Sequence, residues 1–277
     1  MPELPELLHV RSRLHGALAG RTATAERVKE PVVLRYCVKG NLSLLLGRPL
    51  LEVHRKSHFL AFRFEGLDLA VNPMLAGRFR LATPGEMEER SLAFALEFGD
   101  VELRYLDDKA MGKAYLLASG DWKAIPGMQT GGVDILSPEF SRERFVSLLK
   151  HRRDQVRVFL LDKKALDSLG NAYADEVLFE AGIHPKTWCR SLSHQDAVRL
   201  HHAIVTVMTA AVEEVARRDE PIERKVRDFL KVRMKEVCPR CGGTIRTAGV
   251  RGMDAYFCPH CQPETRPGFV DWRRTGK

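Results

Sequence analysis

Four of the six cysteines in this 277-residue chain fall as Cys238-Pro-Arg-Cys241 and Cys258-Pro-His-Cys261. With sixteen residues between Cys241 and Cys258, two tight knuckles can each offer two thiolates to one tetrahedral ion. A redox role would need one such pair beside a strand–helix–strand unit and leaves the second pair without a task. The spacing therefore predicts one structural zinc (Zn) held by Cys238, Cys241, Cys258 and Cys261. Four protein ligands close the coordination sphere, so the ion braces the chain and does no chemistry. His260, inside the second knuckle, reads as a solvated histidine. Cys37 and Cys189 read as buried thiols.

The other place where chemistry is possible is the start of the chain, Met1-Pro-Glu-Leu-Pro-Glu6. Proline is small enough for a preceding initiator methionine to be removed, which leaves a secondary amine with a pKa of roughly 7.7 to 8.0. Roughly a tenth to a sixth of it is then an uncharged nucleophile at pH 7, far more than for a lysine. Met-Pro alone carries little weight, but here Glu3 and Glu6 stand beside it. A helix beginning there brings both carboxylates near the amine.

The surrounding pattern supplies that helix and more. Leu4, Leu7, Leu8, Val10, Leu14, Ala17 and Leu18 repeat at helical spacing over residues 3–19, and Gly20 stops the run. From 21 to 118 short apolar runs follow one another, among them Leu50–Val53, Phe59–Phe62, Leu67–Val71, Phe94–Phe98 and Val101–Tyr105. Phe98-Gly-Asp-Val101 is a hairpin signal. The first domain, 1–120, is expected to be this helix plus an antiparallel β-sandwich or barrel. A Gly- and Pro-rich linker covers 121–136. Helices are expected over Pro138–His151 with Ser137 as N-cap, Gln155–Leu161, Tyr173–Ala181 ending at Gly182, and His194–Arg217, with one more over 222–233. Residues 137–235 thus form an α-rich domain. Residues 236–264 read as a zinc-bound hairpin with a turn around Gly249–Gly252, and 265–277 as a tail. The class is α+β in two domains.

Lys+Arg number 44 against 36 Asp+Glu, a formal charge of +8 with a pI near 9.3. Such a balance points to an anionic partner, nucleic acid or an acidic membrane surface. Residues 220–277 hold 13 of the basic and 7 of the acidic side chains, so most of the excess lies there. There is no basic and apolar leader and no run of eighteen apolar residues. A soluble, cytoplasmic protein is expected.

Met1–Glu6, the run Leu169-Gly-Asn-Ala-Tyr-Ala-Asp-Glu176 continuing to Ala181-Gly-Ile-His-Pro185, and the two cysteine pairs together resemble the formamidopyrimidine-DNA glycosylase and endonuclease VIII family across essentially the whole chain. The resemblance implies an N-terminal β-sandwich, a helix-two-turn-helix domain, a zinc finger and a DNA cleft between the halves. It implies a monomeric glycosylase and abasic-site lyase acting on damaged double-stranded DNA, with no membrane partner. Pro2 would attack C1′ and displace the base, Glu3 would move protons at the sugar, and Glu6 would support the pocket. Gly170 and Asn171 match the turn that holds phosphates near the lesion. The nucleotide is first extruded from the stack.

Four departures from the family stand out. Its lysine in the strand matched by Arg55–Leu60 aligns with His58, a contact charged only at lower pH. Lys56 is the alternative, reaching from the same face of that strand. Leu75, with Met74 nearby, holds the first of three gap-filling positions, and Ala110 and Met111 hold the others, so apolar wedging persists without the reader of the opposite base. Met253 stands where the hairpin arginine belongs, and Arg251, two residues earlier, could serve after a shift of register. The stretch 220–238 is short for a segment that elsewhere includes a loop over the base, which suggests an open pocket and altered or broadened lesion range. The alternative reading is a catalytically weakened lesion- or structure-binding protein. A zinc-bearing RNA- or ribosome-binding protein would explain charge and metal but gives Pro2, Glu3 and Glu6 no task. Trp272, Arg273 and Arg274 belong to a tail expected to be disordered.

Overall fold

A computed structural model describes residues 2–128, 131–167, 169–225 and 227–264. The chain divides into two compact units, Met1–Gly131 with Ala210–Arg227, and Gly132–Thr209 with the residues from Asp228 on.

The first unit opens with α1 (Leu4–Leu18), followed by β1 (Ala25–Val28), β2 (Leu34–Tyr36), β3 (Leu50–Lys56), β4 (Phe59–Phe64), β5 (Leu67–Asn72), β6 (Arg78–Ala82), β7 (Leu92–Phe98), β8 (Val101–Leu106) and β9 (Lys113–Ala118). Two sheets result, in the orders β1-β7-β8-β6 and β2-β9-β5-β4-β3. All pairings are antiparallel except β2 with β9. Phe62 and Phe64 of β4 meet Phe79 and Phe98 of the other sheet, with ring centroids 5.7 and 6.3 Å apart. Leu7, Val10, Leu14 and Leu18 of α1 join the same core. A second cluster of Phe59, Ala61, Ala70, Tyr115, Leu117, Trp122 and Ile125 covers the outer face of β4, β5 and β9. Strands buried on both faces read as continuous apolar runs and not as alternation, which is the pattern of Phe59–Phe62.

Helix α1 docks on β3, where the Val53 N–H donates to His15 Nδ1 at 3.1 Å. Strands β3 and β4 are joined by a two-residue turn, Ser57-His58, across the Lys56–Phe59 pair. His58, expected within a strand over Arg55–Leu60, sits in this turn, with Ser57 at φ 53°.

The second unit contains β10 (Val133–Asp134), α2 (Arg142–Lys150), α3 (Val156–Leu160), β11 (Leu166–Asp167), α4 (Asn171–Ala181), α5 (His194–Arg218, whose last turns from Ala210 count with the first unit), β12 (Arg246–Val250) and β13 (Met253–Phe257). Helix α2 starts four residues later than expected, because Ser141 accepts the Arg144 N–H at 3.2 Å. Ser137 instead closes a turn onto the Asp134 carbonyl. Part of the expected linker, Val133–Asp134, pairs in parallel with β11. Helix α4 ends as read, with Gly182 left-handed at φ 66°. The described residues of 222–233 form turns and no helix. Cys189 is buried, whereas Cys37 is exposed at the edge beyond β2. Among the described residues no helix is long and apolar enough to cross a membrane.

Burial lowers the pKa of His54, whose ring stands edge-on to Trp122 at 5.8 Å and whose Nδ1 lies 3.8 Å from Glu52 Oε2, with no hydrogen-bond partner among the described residues. Arg63 and Lys56 reinforce that direction, while Glu52 and Asp68 oppose it. The fold therefore favours neutral His54, and the stability this contributes is present above the unfolded value of roughly 6.5 and is lost as pH falls below it. The melting temperature of wild type should drop between pH 7 and pH 5 more steeply than that of His54→Gln; parallel curves would refute the assignment.

Candidate active site and nucleic-acid interface

In the first unit the site is built at the head of α1. Pro2 is buried, and Glu3 and Glu6 are 6% and 4% exposed. Glu3 is the N-cap, and its backbone N–H donates to Glu6 Oε2 at 2.7 Å, which closes a capping box. One side chain that the sequence did not flag gathers both carboxylates. Arg227 donates from Nε to Glu6 Oε1 at 2.8 Å, and its NH1 lies 3.3 Å from Glu3 Oε1. A doubly engaged guanidinium fixes the direction of both acids and offsets much of their desolvation. Close by in sequence, Lys225 Nζ donates to the Leu75 carbonyl at 3.1 Å, and burial lowers its pKa.

Leu75 lies between β5 and β6, and Met111 between β8 and β9; they are 55% and 40% exposed. Both loops are tightly made. Asn72 Oδ1 accepts the Met74 N–H, and Asp107 Oδ2 accepts the Gly112 N–H at 2.6 Å. Met74 and Ala110 are both left-handed, at φ 50°. Buried Tyr105 lies under the two loops: a Cβ at Gly77 or at Gly112 would overlap its hydroxyl, so both positions need glycine for close approach. Burial drives that hydroxyl far above its ordinary pKa. Leu75 and Met111 thus stand as exposed apolar side chains on loops held by side-chain-to-backbone bonds.

His58 Nδ1 lies 3.0 Å from Ser57 Oγ, and its ring lies 4.8 Å from that of Phe59. The alternative residue, Lys56, is otherwise engaged: its ammonium sits 4.7 Å over the Trp122 ring. Since His58 occupies the turn, the two do not share a strand face.

In the second unit Gly170 is the N-cap of α4 and Asn171 its first residue. Asn171 Oδ1 accepts from Arg157 NH2 at 3.1 Å, and its Nδ2 lies 3.9 Å from Met253 Sδ. Arg157 is wholly buried and bonds Asp175 from Nε at 2.8 Å. Glu176, next in the helix, accepts the backbone N–H groups of Lys231, Val232 and Arg233 at 2.7, 3.0 and 2.9 Å. Burial pushes the pKa of both acids up, against the pull of these donors. The only sequence signal for these partners is the presence of charges inside apolar segments, Arg157 within 156–161 and Asp175-Glu176 within 172–178. Arg227 has no comparable signal.

The Sγ atoms of Cys238, Cys241, Cys258 and Cys261 lie within 4.8 Å of one another. Cys238 to Cys261 is 3.8 Å and Cys241 to Cys258 is 3.5 Å. Zinc–sulfur bonds of about 2.3 Å in a tetrahedron put sulfurs roughly 3.8 Å apart, so the donor set fits one structural zinc. Above it β12 and β13 turn through Arg251 and Gly252, at φ 47° and 77°, as a two-residue hairpin requires. The turn is tighter than expected, since Gly249 pairs within the ladder with Asp254. Arg251 is 71% exposed, with NH2 3.3 Å from Asp154. Gln262, the residue after the last cysteine, is fully buried; it accepts the Cys258 N–H and donates to the Ile183 carbonyl, both at 2.9 Å. Trp272, Arg273 and Arg274 lie outside the described residues.

Comparison with known proteins gives three matches in chain order: the formamidopyrimidine-DNA glycosylase N-terminal domain over residues 1–114, its H2TH domain over 132–219, and a zinc finger found in such glycosylases and in an isoleucyl-tRNA synthetase over 235–263. This combination defines a DNA-glycosylase scaffold. The formamidopyrimidine-DNA glycosylases of Symbiobacterium thermophilum and Thermus thermophilus are each 33% identical, over 95% of this chain and 90% and 99% of theirs. Lactococcus lactis formamidopyrimidine-DNA glycosylase, solved non-covalently bound to DNA containing an abasic site, superposes with a TM-score of 0.85 at 26% identity, covering 95% of this chain and all of that one. The chain belongs to the formamidopyrimidine-DNA glycosylase family.

Removing zinc should melt the hairpin and the contacts made through Gln262. Chelation is expected to release one zinc per chain and to raise the Kd for duplex DNA at least tenfold, while leaving the β-sheet circular-dichroism signal of the first unit. Unchanged DNA affinity in the metal-free protein would contradict this.

Proposed function

We propose that this protein is a base-excision DNA glycosylase and abasic-site lyase that works through an imine formed by Pro2. The observation that carries the reading is the head of α1, where Pro2 is followed by two buried carboxylates held together by Arg227. Family membership and a structural relative bound to abasic-site DNA support it. With the preceding methionine removed, the proline nitrogen adds to C1′ of the damaged nucleotide as the bond to the base breaks, and the base leaves with a proton. Glu3 relays protons between the sugar and the nitrogen, and Glu6 stays fixed by Arg227 and by the Glu3 backbone N–H. Ring opening gives an iminium at C1′. Loss of a C2′ proton then expels the 3′ phosphate and cuts the strand. Leu75 and Met111 fill the space left by the extruded nucleotide, and Gly170 and Asn171 meet phosphate. The lesion range is altered or broadened, because Ala110 and His58 stand where the family has an arginine and a lysine. The protein acts as a cytoplasmic monomer on damaged duplex DNA.

Borohydride added during reaction with abasic-site DNA should trap a covalent protein–DNA adduct of mature chain beginning at Pro2, and Pro2→Gly should reduce trapping by at least two orders of magnitude. Binding of abasic DNA with neither adduct nor cleavage between pH 5 and 9 would instead establish a protein that only recognises lesions. His58→Lys restores a permanent charge and should tighten abasic-duplex binding several-fold at pH 8, with little change at pH 5.5; equal effects at the two pH values would exclude a phosphate contact by His58.

A further inference from the structure

Met253 occupies the position of the expected hairpin arginine, and Arg251 is turned to Asp154. Another guanidinium stands at the same hairpin. Arg233 NH1 donates to Asp175 Oδ2 at 2.7 Å and to the Asp254 carbonyl at 3.1 Å, and its plane lies 4.7 Å over the Tyr256 ring. Arg157 shares both of those acceptors, reaching Asp175 Oδ1 at 2.8 Å and the Asp254 carbonyl at 3.1 Å, and it also holds Asn171 Oδ1. Arg157 is sealed in the interior, while Arg233 keeps a quarter of its side chain exposed, 25%. We propose that Arg233 is the cation that grips the phosphate held by Asn171 in this chain, in place of a hairpin arginine, on a platform made by Arg157 and Asp175.

Three features carry the inference. Two guanidinium groups share the Asp175 carboxylate, so these three side chains together keep one net positive charge where an anion is to bind, while the neighbouring Glu176 carboxylate is turned to backbone N–H groups. Both inward bonds of Arg233 use NH1, which leaves the Nε–NH2 edge of the fork directed away from Asp175, the geometry in which arginine takes an oxyanion in bidentate fashion. Arg157 fixes the amide of Asn171 with its oxygen inward, so Nδ2 points outward, where its nearest acceptor is the weak thioether of Met253 at 3.9 Å. A phosphate oxygen is a far better acceptor, and the unbranched Met253, 44% exposed, can yield to it. The backbone that carries Arg233 is already fixed, since Glu176 binds the N–H groups of 231, 232 and 233, so little ordering is needed on binding.

This assignment rests on the DNA-binding reading above, and the test separates the two. Affinity is measured for a duplex carrying a tetrahydrofuran abasic analogue, which resists cleavage, between 50 and 200 mM salt. Wild type should bind it in preference to undamaged duplex; failure there overturns the reading and this inference with it. Given that binding, Arg233→Ala and Arg233→Gln should weaken affinity about tenfold and lower the salt slope by about one, while Arg233→Lys keeps the slope. Arg251→Ala should change affinity less than twofold. Zinc content and melting temperature serve as controls for folding, and Arg233→Gln retains a donor for Asp175 if the alanine variant is unstable. Wild-type slope and affinity in both neutral variants, or loss of the slope in Arg251→Ala instead, would overturn the assignment.

Discussion

The Glu176 carboxylate, buried on α4, accepts three consecutive backbone N–H groups from 231–233, and much of the second unit follows from that one satisfied charge. A carboxylate taken out of water costs several kcal/mol unless donors surround it, and three N–H groups at hydrogen-bond distance supply them. Each of those N–H groups is correspondingly withdrawn from a helical ladder. The chain is pinned as it approaches the zinc finger, Val232 joins Cys238 and Cys258 in one apolar cluster with Phe179, and Arg233 is aimed at Asp175. Metal, hairpin and α4 are thereby tied to a common anchor.

In the first unit the controlling constraint is steric. Two glycines, Gly77 and Gly112, let the Tyr105 hydroxyl sit where side chains would otherwise be. The loops above it hold Leu75 and Met111 in solvent, an arrangement that costs hydrophobic free energy in the absence of a ligand. In the same unit, Arg227 draws Glu3 and Glu6 together. The capping box alone would orient Glu6, but Glu3 gains its second partner from a residue more than two hundred positions away.

What the sequence made legible depended on range. The zinc ligands, the end of α4 at Gly182 and the Phe98–Val101 hairpin are set by residues within a few positions of one another, and each was readable. The doubly covered strands also showed, as apolar runs. The missed features arise from partners far off in sequence. Residues 222–233 have a helical appearance, yet Glu176 captures the N–H groups that a helix would need. Ser57-His58 lacks the glycine or asparagine that usually announces a turn with positive φ, so the sequence does not distinguish His58 from a strand residue. Ser137 and Ser141 are equally good caps on composition, and only the bond from Arg144 decides between them. Arg227 in the first unit, and Arg157 and Arg233 in the second, are held by tertiary ion pairs that no spacing rule encodes.

The loop tips at Leu75 and Met111 have one more consequence. Neither side chain offers a hydrogen-bond donor, and the thioether of Met111 is at most a weak acceptor. A filler of this kind measures volume and stacking and is blind to the lettering of the intact strand. Under the proposed function, these two side chains would therefore contribute nothing to telling one opposite base from another.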